Sequence, residues 1–168
     1  LWASDHQLTL VSRRVARSYE AERADGRVKW LQLDPATSVS WQTPELVEAL
    51  STSDSVVNLA GEPIAEKRWS AVHRKVLEDS RLDTTRLLVD ALAASKSPPS
   101  VLINASAIGV FGTSATSKFV ESSPVGADFL ASFCHRWENA AAAGDTSCRR
   151  GRLRNGSACG SEGGADVH

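Results

Sequence analysis

The sequence predicts an α/β fold built on a parallel β-sheet with crossover helices. Short aliphatic runs alternate with longer amphipathic segments in the order strand, strand, helix, strand, helix, strand, helix. That order is typical of parallel strands joined by helices. In addition, the short β-branched run Val56-Val57 enters a turn through Asn58-Leu59-Ala60-Gly61. Such a run predicts a buried strand whose carboxyl end faces a ligand.

Each strand is predicted from a local pattern. Apolar residues that alternate or form short runs predict strands at residues 7–12, 27–33, 54–59 and 101–105.

Each helix has a start signal. Thr43-Pro44 starts the first helix, with Pro at its first position. The residues expected on the inner face of that helix are Leu46, Val47 and Leu50. Ser70 is expected to cap a long helix that runs to residue 94, and a last helix is expected at residues 127–143. The apolar positions of the long helix are Val72, Val76, Leu77, Leu87, Leu88, Ala91 and Leu92.

Composition excludes several classes of protein. The 168 residues are 42% hydrophobic and 23% charged, which suits one domain with a core. A net charge of -1 gives no general attraction to nucleic acid or to an anionic membrane. The chain has neither a signal-peptide pattern nor an apolar run of the roughly 20 residues that a membrane span needs.

Three irregularly spaced cysteines fit reduced thiols better than a disulfide framework. We therefore expect a cytoplasmic location, or the plastid stroma if the source is a photosynthetic eukaryote. No metal is expected at Cys134-His135, because neither residue has a partner at metal-ligand spacing.

The end of the chain differs in composition. Residues 149–168 are rich in Arg, Gly and Ser, and Leu153 and Val167 are their only large aliphatic residues. We expect residues 1–148 to form the domain and residues 149–168 to be an irregular or disordered tail.

Several motifs occur in a specific order along residues 7–150. They are Asn58-Leu59-Ala60-Gly61-Glu62-Pro63-Ile64, Lys67-Arg68-Trp69, Asp79-Ser80-Arg81-Leu82-Asp83-Thr84-Thr85, Asn104-Ala105-Ser106-Ala107-Ile108-Gly109-Val110-Phe111-Gly112, Glu121-Ser122-Ser123-Pro124 and Trp137-Glu138. In this order they resemble the epimerase-family proteins of the extended short-chain dehydrogenase/reductase superfamily. These proteins are often labelled nucleoside-diphosphate-sugar epimerases, and some carry a cell-division-inhibitor label.

The resemblance implies a Rossmann-like sheet that binds NADP(H), or alternatively NAD(H). The family fingerprint Gly-x-x-Gly-x-x-Gly lies between the first strand and the first helix, and this chain does not contain it. The expectation is therefore a Rossmann-like sheet lacking its first strand and Gly-rich loop. In the order 3-2-1-4-5-6 that strand lies between strands 2 and 4, and the helix after it holds the pyrophosphate. We expect a chain truncated at both ends and inactive alone.

The resemblance also implies positions for cofactor contacts. Arg13 and Arg14 follow the strand that ends beside the adenosine ribose, where Arg favours a 2′-phosphate. Alternatively, both are solvated arginines after an edge strand. Asp34 is expected near the adenine amine or, equally, as a turn cap before Pro35.

The loop after the third strand is expected to form the cofactor wall, through Asn58, Leu59, Ala60 and Gly61, with Gly61 able to adopt a positive φ. Alternatively, this loop is only a structural turn.

Substrate contacts are expected at Arg68 and Trp69, with surface charge and helix packing as the alternative.

The catalytic residues of the superfamily are the part of the resemblance that this chain does not match. Reductases of this superfamily use Ser or Thr with Tyr-x-x-x-Lys. Here Leu130 and Cys134 stand at the Tyr and Lys positions, and Ala107 stands at the Ser position. Ser106 is the best remaining polar contact to substrate.

The residues and the resemblance together indicate two alternative functions. The first is an NADP(H)-binding, epimerase- or oxidoreductase-like protein that acts on a small-molecule substrate. The alternative is a non-catalytic dinucleotide-sensing or protein-interaction module, which the missing Tyr and Lys favour. The expected partners are a dinucleotide and an unidentified small molecule, with neither nucleic acid nor membrane.

Overall fold

A computed structural model describes residues 6–14, 26–64, 68, 70–144 and 148–156. Its strands are β1 (Leu8–Ser12), β2 (Val28–Gln32), β3 (Ser55–Asn58), β4 (Val101–Ala107) and β5 (Arg149–Asn155). Its helices are α1 (Pro44–Thr52), α2 (Ala71–Ala94) and α3 (Phe129–Ala142), with short 3-10 turns at Ser40–Gln42 and Ile108–Phe111. The mixed α/β fold is as predicted.

The strands form two parallel groups. β1 pairs with β2, and β4 lies between β3 and β5. Within the described residues, no strand lies between the two groups. This arrangement agrees with the expectation of parallel strands joined by crossover helices.

Helix starts follow local capping chemistry. The Ser70 side chain accepts a hydrogen bond from the His73 backbone N, and that of Asp128 accepts from Ala131 N. Each cap satisfies one of the backbone donors left free in the first turn of a helix. The start at Ser70 and the end at residue 94 are as predicted.

One apolar core lies beneath both strand groups. Its buried members are Leu31, Leu46, Leu50, Leu88, Val89, Leu92, Leu102 and Cys148. Since β2, α1, α2 and β4 all contribute, the two groups share this core. Burying a Leu side chain contributes about 1.5–3 kcal/mol, so the shared core holds the groups together.

Three apolar residues that were expected to pack inward on α1 and α2 are exposed. Val47, Val72 and Val76 are 51%, 76% and 43% exposed. On α2 the predicted positions Leu77, Leu88 and Leu92 are buried, and the polar residues His73 and Arg81 are buried with them. On this helix the apolar pattern therefore failed only near the start.

The expectation of an irregular tail is wrong for residues 149–155, which form β5 in register with β4. β5 is an edge strand, and its Arg152 and Arg154 side chains bind Glu138. Ion pairing and backbone pairing therefore replace the apolar content that the prediction required. Residues 157–168 of the expected tail lie outside the described residues.

Candidate functional site

A cleft of about 490 Å³ lies between the two strand groups. Residues 9–13 of β1 and its end line one side, and residues 56–61 of β3 and its following loop line the other. Ser80 and Thr84 of α2 also line it. The cleft therefore brings together the carboxyl ends of two strands that do not pair with each other.

Most of the expected cofactor contacts lie in this cleft. The cleft residues among them are Arg13, Asp34, Asn58, Leu59, Ala60 and Gly61. Arg14 and Arg68 are exposed and do not line it. Trp69 lies outside the described residues.

Arg13 forms an ion pair across the mouth of the cleft. Its Nη2 donates to Glu62 Oε2 at 3.0 Å, with side-chain exposures of 60% for Arg13 and 17% for Glu62. The backbone N of Glu62 donates to Ser80 Oγ at 3.1 Å, which ties the acid to α2. The more exposed Arg13 is therefore the freer member of the pair.

Asp34 caps the turn that follows β2. Its Oδ1 accepts from Ala36 N at 3.0 Å, and its carbonyl accepts from Thr37 N at 3.1 Å. These bonds fit the turn-capping alternative. Because Asp34 also lines the cleft, the adenine contact stays a prediction.

Gly61 was expected to be able to adopt a positive φ. It is not among the glycines with positive φ. A Cβ built on Gly61 would lie 2.6 Å from Arg81 Cζ. Gly61 therefore leaves room for the Arg81 guanidinium, and it does not supply a left-handed backbone.

Arg81 is a buried cation that the sequence analysis did not assign to the site. Its Cζ lies 5.4 Å from the Trp137 ring centroid and 6.0 Å from that of Phe133. Burial lowers the pKa of Arg81, although Cys134 and Glu62 act in the opposite direction. The guanidinium packs between aromatic rings and the Gly61 backbone, and so holds the cleft loop in place.

A buried amide and hydroxyl network fixes the start of that loop. Asn58 Nδ2 donates to Asn104 Oδ1 at 2.7 Å and to Thr85 Oγ1 at 3.0 Å. Trp137 Nε1 donates to the same Thr85 oxygen at 2.9 Å. Asn58 Oδ1 accepts from Ala60 N at 3.2 Å. The network joins β3, β4, α2 and α3 behind the cleft.

Ser106, the predicted substrate contact, lies in a second polar cluster. Its Oγ donates to Glu138 Oε1 at 2.7 Å, and Ser106 is buried. Arg154 donates to both carboxylate oxygens of Glu138, and Arg152 donates to Oε2 at 3.0 Å. Ser106 is thus engaged structurally, and its contact with substrate stays a prediction.

Glu138 is 2% exposed yet ionised. Burial alone would raise the pKa of its carboxyl. Hydrogen bonds from Arg154, Ser106 and Arg152 outweigh burial and lower that pKa to about 2. This cluster holds β5 and α3 to the carboxyl half of β4.

Cys134 has little nucleophilic character. Burial, and then the Glu138 charge, raise the pKa of its thiol. His135 is exposed and contacts Asn139, whereas Cys134 is buried. The two neighbours therefore do not face each other. Over the described ranges there is no cluster of three or more His, Cys, Asp or Glu side chains that could hold a metal ion.

The sequence analysis missed the polar residues that support the site. Asn104 stands inside a largely apolar strand, and a buried polar side chain needs a partner. The position of Asn104 could therefore have predicted a polar partner on a neighbouring strand, and that partner is Asn58. No comparable pattern marks Arg81 or the pairing of Arg154 with Glu138, because these contacts join distant parts of the chain.

Curated relatives match the chain, whereas no protein-family model does. The Arabidopsis thaliana protein named "Epimerase family protein SDR39U1 homolog, chloroplastic" is 41% identical over 115 residues, which are 67% of this chain and 33% of that protein. The human epimerase family protein SDR39U1 is 32% identical over 169 residues, which are 99% of this chain and 51% of the human one. The chain therefore spans between a third and a half of these relatives.

Solved structures agree with the sequence matches. The crystal structure of human SDR39U1 (isoform 2) with NADPH has a TM-score of 0.74 and 30% identity, covering 97% of this chain and 50% of that one. A nucleoside-diphosphate sugar epimerase from Corynebacterium glutamicum has a TM-score of 0.66 and 28% identity, covering 98% and 37%. Both likenesses extend over nearly the whole chain.

Proposed function

Because the chain belongs to the same family as these epimerase family proteins, we propose that it forms the adenosine-side part of an NADP(H)-binding domain. The activity of the whole protein would be epimerisation or hydride transfer on a small-molecule or nucleotide-sugar substrate. One observation carries the proposal: the cleft gathers Arg13, Asp34 and the loop 58–61 at the carboxyl ends of β1 and β3. Dinucleotides bind at such ends in open α/β sheets.

Each cleft residue offers a specific contact. The Arg13 guanidinium would hold a 2′-phosphate through charge-assisted hydrogen bonds, and without that phosphate NAD(H) is the alternative. Asp34 has a second carboxylate oxygen for the adenine amine. The loop from Asn58 to Gly61 presents small residues and backbone to the cofactor, held in place by Asn104 and Arg81. The NADPH in the human structure supports this choice of dinucleotide.

Adenosine 2′,5′-bisphosphate tests the proposal, because it carries the adenosine half of NADP and differs from 5′-AMP only by the 2′-phosphate. Calorimetric titration of the 168-residue chain should show about fivefold tighter binding of this probe than of 5′-AMP, from contact with one charged side chain. Arg13→Gln should abolish the difference. Arg86→Gln, which alters an exposed Arg paired with Asp83 on α2, is the matched control. Equal affinity for both nucleotides in the unaltered chain would contradict the 2′-phosphate assignment.

The same chain should not bind whole NADPH tightly. The sequence has no Gly-x-x-Gly-x-x-Gly to receive the pyrophosphate. A fluorescence titration is therefore expected to show no saturation by NADPH at micromolar concentrations. Saturable micromolar binding would contradict the expectation that this chain is inactive alone.

A non-catalytic, dinucleotide-sensing role is the second candidate. The observation in its favour is that Cys134 is buried with a raised pKa and that Ser106 is engaged by Glu138. Neither side chain is free to move a proton to or from a substrate in this arrangement. Turnover of a carbonyl substrate by the whole protein would count against this role.

We propose a reducing compartment, either the cytoplasm or a plastid. Cys134 and Cys148 are buried free thiols, and the name of the Arabidopsis relative describes that protein as chloroplastic. Across the part of the chain that the structure describes, no helix is both long and apolar enough to cross a bilayer.

A further inference from the structure

The Arg13–Glu62 ion pair lies at the point where a 2′-phosphate would enter the cleft. Arg13 lines the cleft at the end of β1, and Glu62 directly follows the cleft residue Gly61. The pair joins the two strand groups through residues 49 positions apart. Glu62 is the more buried partner, and its backbone is tied to Ser80.

Resting on the proposed function, we propose that Glu62 is a specificity-determining residue that weakens the preference for a 2′-phosphate over a 2′-hydroxyl. It acts as a positioning residue, through Arg13. The Glu62 carboxylate accepts from one nitrogen of the Arg13 guanidinium, so a 2′-phosphate competes with Glu62 for Arg13.

Charge makes this competition selective. A phosphate monoester carries about −1.5 to −2 at pH 7, so it is repelled by Glu62 and attracted by Arg13. A 2′-hydroxyl is neutral and responds little to either group. Removing the Glu62 charge should therefore favour nucleotides with a 2′-phosphate and leave those without one nearly unchanged. Because Arg13 is 60% exposed, solvent and salt limit the effect.

Glu62→Gln tests this inference, since it keeps the size of the side chain and removes its charge. In calorimetric titrations of the 168-residue chain, we expect adenosine 2′,5′-bisphosphate to bind about fivefold more tightly to Glu62→Gln at low salt. The affinity for 5′-AMP should not change. The gain should shrink at high salt and vanish in the Arg13→Gln background, where no guanidinium remains to be released. Glu78→Gln, which neutralises an acid paired with Arg136 between α2 and α3, is the control.

The possible outcomes separate this inference from the proposed function. If the unaltered chain prefers the 2′-phosphate but Glu62→Gln does not increase that preference, the inference is overturned and the proposed function stands. An equal change for both nucleotides, or a gain that persists without Arg13, would show that Glu62 acts by shaping the loop, which also overturns it. If neither nucleotide binds to the unaltered chain or to Glu62→Gln, the proposed function fails and the inference fails with it.

Discussion

Asn58 and Asn104 stand side by side on β3 and β4, and the amide nitrogen of Asn58 donates to Asn104 Oδ1 at 2.7 Å. Both side chains are buried. Their bond joins the neighbouring carboxyl ends of two parallel strands and fixes the origin of the loop 58–61. The position of the cleft loop therefore depends on a polar pair that lies behind it.

Asn58→Ala should destabilise the fold. It leaves the buried Asn104 Oδ1 without this donor, whereas Thr85 Oγ1 keeps the bond from Trp137. The loss costs about 1–3 kcal/mol. Urea denaturation measures the change in the free energy of unfolding. Asn139→Ala, which removes an exposed side-chain contact with His135 on α3, should cost less than about 0.5 kcal/mol. Similar losses for both variants would show that the buried network contributes little.

Glu138 should make stability fall in acid. Its folded-state pKa of about 2 lies below the ordinary value of 4.5. A depressed folded pKa contributes stability that is present above pH 4.5 and is lost as the pH falls toward 2. Thermal melts across that window should therefore show a declining Tm in the unaltered chain.

Glu138→Gln should remove the Glu138 part of that decline. At pH 7 it should also cost about 2–3 kcal/mol of unfolding free energy, because it weakens charged hydrogen bonds with Arg154 and Arg152. Glu78→Gln, at a more exposed ion pair, provides the comparison. An acid profile of Glu138→Gln that parallels the unaltered chain would assign the acid sensitivity to other groups.

Gly61→Ala should displace the Arg81 guanidinium. The added Cβ would lie 2.6 Å from Arg81 Cζ, and repacking of this buried side chain costs about 1–3 kcal/mol. Denaturation midpoints would report the loss. Gly151→Ala is the control, since its Cβ would approach only Ile103, at an ordinary 3.8 Å.

A double variant isolates the cause of that loss. If the guanidinium is what clashes, Gly61→Ala should cost less in an Arg81→Ala background than alone. Additive effects would show that the alanine disturbs the loop in some other way.

Local chemistry made much of the fold predictable from the sequence. Ser70 caps α2 through its own side chain, and Pro44 starts α1, so both starts follow from neighbouring residues. Tertiary contacts decided the rest. On α2, Val72 is exposed whereas His73 and Arg81 are buried, and no periodicity of apolar residues predicts this.

The cleft likewise combines residues that local sequence patterns predict with contacts that only the tertiary structure shows. Arg13 and Gly61 were predicted because each follows a strand that the resemblance places beside the cofactor, and both line the cleft. The Arg13–Glu62 ion pair and the packing of Arg81 on Gly61 join residues that are far apart in the sequence. Physical reasoning on local patterns does not reveal such contacts, and it also missed β5.

The most direct test of the central claim is an amide chemical-shift map of the 15N-labelled chain titrated with adenosine 2′,5′-bisphosphate. If β1 and β3 frame an adenosine site, the largest shifts should fall on Arg13, Asp34 and residues 58–61. Residues on the outer face of α3, such as Asn139, should not shift. Saturating shifts that avoid the cleft, or none at millimolar nucleotide, would contradict it.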